Sequence, residues 1–224
     1  GNLEQTEQAV YDVLDQTLPD VQLLLIEQGG GRVPLDPQVD HARIHHWHHD
    51  PPLPSLSATW NRALRMVWEA GGEHAFVLNS DLRLHRDTLI WVHRAQTLSD
   101  AWFVSAVNVG ETSFAGLPVQ LVSLDHTVRG GPDFSCFLVT RECHVAYPFD
   151  ENFQPAYCED LDLHRRIFLG GDGDLVFSVN VPYVHYASQT LKQMSPEKNA
   201  AVQAAITAGA RAHHLRKWGG GANE

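Results

Sequence analysis

Apolar and polar positions change period several times along this 224-residue chain, and each change marks an element. Ala9, Val10, Val13 and Leu14 fall at i, i+1, i+4 and i+5, the spacing of one buried face, within a helix expected over Leu3–Thr17. Leu18-Pro19-Asp20 stops it. Val21–Ile26 is an unbroken apolar run, suited to a strand covered on both faces, and it ends in Glu27-Gln28 and three glycines. Residues 42–47 predict a further strand entering a Pro-rich loop at 51–54. A helix over 57–70 turns Ala63, Leu64, Val67 and Trp68 inward and closes at Gly71-Gly72. His74–Leu78 then breaks abruptly into Asn79-Ser80-Asp81, ahead of a helix from Asp87 to about Gln96. Strands are expected at 101–109, 134–140 and 175–181. Ser195-Pro196-Glu197 joins an N-cap, a proline at the first helical position and a first-turn acid. The helix it starts runs to about Trp218, where Gly219-Gly220-Gly221 ends it. Helix and strand alternate through the first half, which predicts α/β layers around a mostly parallel central sheet.

Composition narrows the setting. A chain of this length fills one domain, or one domain in two lobes, and 43% hydrophobic with 19% charged residues is a globular composition. No apolar run approaches a bilayer span and no signal segment opens the chain, so a soluble, cytoplasmic protein is expected. Cys136, Cys143 and Cys158 are an odd number without metal spacing, which favours buried thiols in a reducing compartment. The net charge of −11 argues against broad nucleic-acid or anionic-membrane contact. An acidic protein that handles a phosphorylated substrate needs a cation or a local basic patch.

Two acidic spots are the candidates for chemistry. Asp81 ends a buried strand, and in open α/β sheets ligands bind outside such strand ends; Asn, Ser and Asp are also ordinary turn residues. The second spot is Tyr157-Cys158-Glu159-Asp160-Leu161-Asp162, where Leu163 and Ile167 mark a helix that begins near Glu159. Asp160 and His164 then share a face one turn apart. Acids in a first turn stabilise the helix dipole without further purpose, yet the same dipole keeps a general base ionised while partial burial restores its basicity. Fourteen histidines include the tract His41, His45, His46, His48 and His49, whose imidazoles suit a transition metal. That tract lacks cysteine partners, and strand alternation sends neighbouring rings to opposite faces.

These segments together resemble the inverting glycosyltransferases of the GT-A fold, family 2 type, from about Thr6 to Ser188. "VYDVLDQTLPDVQLLLIEQGG" is similar to that family's opening helix, turn and second strand, which implies a base-holding carboxylate at Glu27. "LSATWNRAL" looks like the next helix and implicates Asn61 near the nucleotide. "FVLNSDLRLHRDTL" resembles the metal-binding strand end, with Asp81 as ligand and Asn79 beside it. "FDENFQPAYCEDLDLHRRIFLGG" is similar to the catalytic segment and implies Asp160 as base with Glu159 as a supporting or acceptor-side carboxylate. "VHYAS" implicates His185 as the late metal-site histidine.

The resemblance implies a Rossmann-type sandwich, a nucleotide-diphosphate sugar donor, a manganese or magnesium ion and a glycan or other hydroxyl-bearing acceptor, a nucleic-acid acceptor being disfavoured by charge. It divides the chain into a donor-binding half (1–100), an acceptor and catalytic half (101–194) and a C-terminal helix and tail (195–224). Two departures stand out. The family opens with a strand that this chain lacks, so either the chain is trimmed or incompletely represented, which is the expectation, or one sheet strand is absent; and the metal triplet is Asn-Ser-Asp with one carboxylate instead of two. Rival expectations are a non-catalytic nucleotide-sugar or carbohydrate-binding module of the same fold, a glycoside hydrolase with a flanking carboxylate pair, and a His-rich metal binder.

Overall fold

The apolar runs of the sequence become β3 (His74–Leu78), β5 (Phe103–Asn108), β7 (Cys136–Thr140) and β8 (Val176–His185) in a computed structural model. It describes residues 3–28, 32–37, 39–114, 124–125, 134–186 and 194–219. The expected glycine turn at 29–31, most of the polar loop before 134, Ala187-Ser188 and the tail from Gly220 lie outside them. Strand alternation sorts side chains into two cores. Phe76, Leu78, Val104 and Leu138 enter one, which α1 (Leu3–Leu14) and α3 (Thr88–Ser99) close with Ala9, Val13, Leu89 and Val92. Ala75, Phe103, Phe137 and Val176 enter the other, closed by Trp60, Leu64 and Trp68 of α2 (Leu56–Glu69) and by Leu163 and Ile167 of α6 (Glu159–Gly170). Short helices α4 (Glu111–Phe114) and α5 (Arg141–Ala146) complete the connections.

The larger sheet runs β3-β7-β5-β8-β4, with β4 (Leu82–Leu84) at its edge and β6 (Leu124–Asp125) beside β8. It is mixed, not mostly parallel: β5 and β8 are parallel, whereas β7 is antiparallel to both β3 and β5, and β4 and β6 are antiparallel to β8. Helices cover both faces, so β7 is buried at all five positions. A strand buried on both sides reads as continuous apolar sequence in either direction, and direction was therefore not legible. A separate parallel pair joins β1 (Leu23–Gln28) to β2 (Ile44–His49) in register Leu23 to Ile44. Val10 of α1 packs with Leu25 and Ile44 of this pair, while Ala9 and Val13 pack on the larger sheet, so one helix bridges both. Across the other face, Gln28 Nε2 donates to Thr59 Oγ1 of α2 at 2.8 Å.

The final helix differs from a plain α-helix. α7 (Pro196–Ile206), capped by Ser195 Oγ on Lys198 N, widens into a π segment over Thr207–Arg211 before α8 (Ala212–Trp218). All three cysteines are buried and free. Among the described residues no helix is long and apolar enough to cross a membrane.

Candidate active site at the strand ends

Chain direction assigns the acidic spots to one edge. β3 ends at Leu78 opposite Cys136, where β7 begins, and β8 ends at His185 opposite Leu82, just after Asp81. α6 returns across the sheet before β8 starts, so its first turn stands toward the edge where β8 finishes.

Asp81 and His185 meet although 104 residues separate them: His185 Nε2 is 3.1 Å from Asp81 Oδ1. The backbone fixes both, since Tyr186 N donates to Asp81 O at 3.0 Å and His185 N donates to Asn108 Oδ1 at 3.0 Å. Ser135 Oγ lies 3.0 Å from His185 Nδ1 and so sets the ring's orientation. Asn79 Nδ2 lies 3.3 Å from His185 Nε2, and Asn79 N donates to Ser135 O at 2.9 Å. The sequence pointed to Asp81, His185 and Asn79 but not to Ser135 or Asn108; both are loop or strand-end residues whose partner is distant, and local pattern carries no such information.

This donor set suits a divalent cation that its substrate helps to hold. One carboxylate oxygen and one imidazole nitrogen are two ligands, and magnesium-type sites take the remainder from phosphates and water. The second nitrogen already has a hydroxyl partner, as metal-binding imidazoles require. Among the described residues no group of three or more His, Cys, Asp or Glu is gathered to hold a metal. The histidine tract follows suit: His45 reaches Gln22, and His46 Nδ1 lies 3.4 Å from Glu27 Oε2.

Glu159 and Asp160 occupy the first turn of α6. Two consecutive residues with left-handed backbone, Tyr157 (φ 81°) and Cys158 (φ 68°), lead into it, a costly arrangement for side chains with a Cβ. Asp160 is half-buried and accepts from Leu161 N at 2.8 Å. Glu159 is only 6% exposed, and its Oε2 has no hydrogen-bond partner. Burial pushes its carboxyl up to about 7; backbone amides of Glu159 and Tyr157 pull against that, and the Asp160 charge adds to it. His164, one turn on, is pushed below the usual imidazole range by burial, with Asp160 opposing. Asp162 points inward and is fully buried, holding Arg166 Nε at 2.8 Å.

Glu27 and Asn61 have other immediate partners. Glu27, buried at the end of β1, accepts from Val33 N at 2.7 Å. Asn61 is 2% exposed and clasps the turn before the acidic helix: its Nδ2 donates to Phe149 O and Glu151 Oε1, and its Oδ1 accepts from Phe149 N. His144 Nε2 lies 3.0 Å from the same Oδ1 while its Nδ1 accepts from Trp68 Nε1.

Two-sided cover of a mixed sheet is the fold of the GT-A glycosyltransferases. Among solved structures, Staphylococcus aureus TarS superposes with a TM-score of 0.56 at 12% identity, over 94% of this chain and 41% of that one. The chain thus spans about two-fifths of that TarS chain. Mycobacterium tuberculosis glucosyl-3-phosphoglycerate synthase, solved with Mn2+, UDP and glucosyl-3-phosphoglycerate, gives 0.56 at 16% identity over 92% of this chain and 74% of that one. TarS 1–349 with UDP-GlcNAc gives 0.50 at 11% identity, over 89% and 60%. No model of a known protein family matches the chain, and no curated protein matches it.

Proposed function

We propose that the chain transfers a sugar from a nucleotide-diphosphate sugar to an acceptor hydroxyl with inversion, Asp160 serving as general base. The observation that carries this reading is the Asp81–His185 pair, backed by Ser135, at the edge toward which the acidic start of α6 stands. Proteins of the same fold solved with UDP and Mn2+, or with UDP-GlcNAc, support a uridine donor and a divalent ion. Asp81 and His185 would hold that ion, manganese or magnesium, with Asn79 beside them; when bound it supplies positive charge to the donor's diphosphate.

The chain's own residues do the rest. Asp160 stands in the first turn of a helix, where the N-terminal dipole favours negative charge. It takes the proton of the acceptor hydroxyl as that oxygen forms its bond to the anomeric carbon. The bond from that carbon to the donor phosphate breaks, and its electron pair leaves with the nucleoside diphosphate. A single displacement inverts the carbon, and positioned proton removal contributes about 10²–10⁴-fold. Glu159, protonated below about pH 7, leaves Asp160 the charged member of the pair under mildly acidic conditions. Residues 1–100 form the donor half and 101–194 the acceptor half in this reading, with Glu27 and Asn61 on the donor side.

One experiment tests it. Purified protein is titrated with UDP-GlcNAc and UDP-glucose in the presence of Mn2+, and UDP release is followed. Asp160→Asn should lose turnover while calorimetry still detects donor binding; turnover retained in that variant removes Asp160 from the role. The single carboxylate of Asn79-Ser80-Asp81 favours a second reading, a non-catalytic nucleotide-sugar-binding module, which binds donor and never releases UDP.

A further inference from the structure

We propose that Lys217, at the end of the C-terminal helix, is a positioning residue that sets the acidic first turn of α6 by tying together both ends of the loop leading into it. The inference rests on the reading of Asp160 as the base. Residues 150–158 connect the Phe149 turn to Glu159, and the C-terminal helix grips this segment along its length. Phe153, fully buried, packs with Cys158 and with Ala210 of the π segment, and the His213 ring stands edge-on to it at 4.7 Å. Gly209 approaches so closely that a Cβ there would lie 2.1 Å from Gln154 O.

At the far end one ammonium bridges two carboxylates. Lys217 Nζ is 2.7 Å from Asp150 Oδ2, at the start of the segment, and 2.7 Å from Asp162 Oδ1, within α6 just beyond its end. His213 Nε2 also reaches Asp150 Oδ2 at 3.0 Å, and Trp218 Nε1 donates to Asp162 Oδ1 at 2.9 Å. Asp162 stands two residues after Asp160, about 200° around the helix. Anchoring Asp162 inward therefore aims Asp160 outward. The two backbone-strained residues between the anchors, Tyr157 and Cys158, would relax if either anchor were released. A misplacement of about 1 Å at a reacting group can cost about 10²-fold in rate, so the bridge matters to turnover through the position it gives Asp160.

The test compares Lys217→Met, Lys217→Arg and Gly209→Ala in the full chain, with UDP-GlcNAc and Mn2+ as the probe. In Lys217→Met, kcat falls about 10- to 100-fold while KM for the donor changes by less than about threefold, and Lys217→Arg recovers most of the loss. Gly209→Ala, which keeps every charge but pushes the helix from Gln154, lowers kcat in the same way. Deuterium exchange at the Asp162 and Leu163 amides quickens in Lys217→Met while that of β5 stays unchanged. Folded variants with wild-type kcat and unaltered exchange overturn the proposal, as does a loss confined to KM. Turnover retained in Asp160→Asn would instead overturn the reading of the base, and the exchange comparison would still decide the role of Lys217.

Discussion

Replacing Glu159 with glutamine isolates one buried charge, and its cost can be worked out. The carboxyl titrates near 4.5 when solvated and at about 7 in the fold, chiefly because burial removes water from the anion. A rise from 4.5 to about 7 corresponds to about 3 kcal/mol between the two protonation states. The sign follows from where the proton sits. Below pH 4.5 both folded and unfolded chains carry the neutral acid and nothing is lost; as pH rises from 4.5 the unfolded chain ionises in water while the folded chain keeps its proton, until at about 7 the folded chain must bury the charge. Stability from this residue is therefore complete in acid and gone above neutrality. Glutamine mimics the protonated form at every pH. Glu159→Gln should match the parent at pH 4.5–5 and exceed it at pH 8 by up to about 3 kcal/mol, which for a chain of this size is a rise of up to about 10 °C in melting temperature. Paired thermal melts from pH 5 to 8.5 read the difference directly. A shift that is the same at both ends of the range, or a variant less stable at pH 8, refutes the argument.

Two further outcomes are expected. Asn61→Ala strands the backbone of Phe149 and the ring of His144 without their amide partner and should cost about 3 kcal/mol in urea unfolding, most of it from buried groups left unpaired. Asp81→Ala and His185→Ala should each abolish the extra thermal stabilisation that Mn2+ adds to UDP, read as the difference between melts with UDP alone and with UDP and Mn2+.

Much of the candidate site was legible where a signal is local. A strand that breaks into Asn79-Ser80-Asp81, a helix that opens on Glu159 and an N-cap at Ser195 each lie within a few consecutive residues, and each stands within a residue or two of its expected place. Pairings across the chain were not legible. Nothing near His185 announces Ser135 or Asn108, and nothing near Asp162 announces Lys217 and Trp218. The three-residue β4 was missed because it is too short to show a period, and α5 because its six residues make under two turns. The helix from Ser55 begins with an N-cap two residues before the predicted start, since Ser55 Oγ accepts from Ala58 N while Ser57 is buried.

The parting of the strands into two ladders has a mechanical consequence. Among the described residues no backbone hydrogen bond ties β1 to β3, so the pair that carries Glu27 is attached to the sheet that carries Asp81 through α1, α2 and side-chain contacts. Such a seam is compliant: sliding Glu27 relative to Asp81 breaks no rung, whereas moving Asp81 relative to His185 breaks several. If the chain binds a nucleotide-sugar as proposed, its base and its diphosphate would rest on supports of unequal stiffness, a soft jaw at Glu27 and a hard one at Asp81.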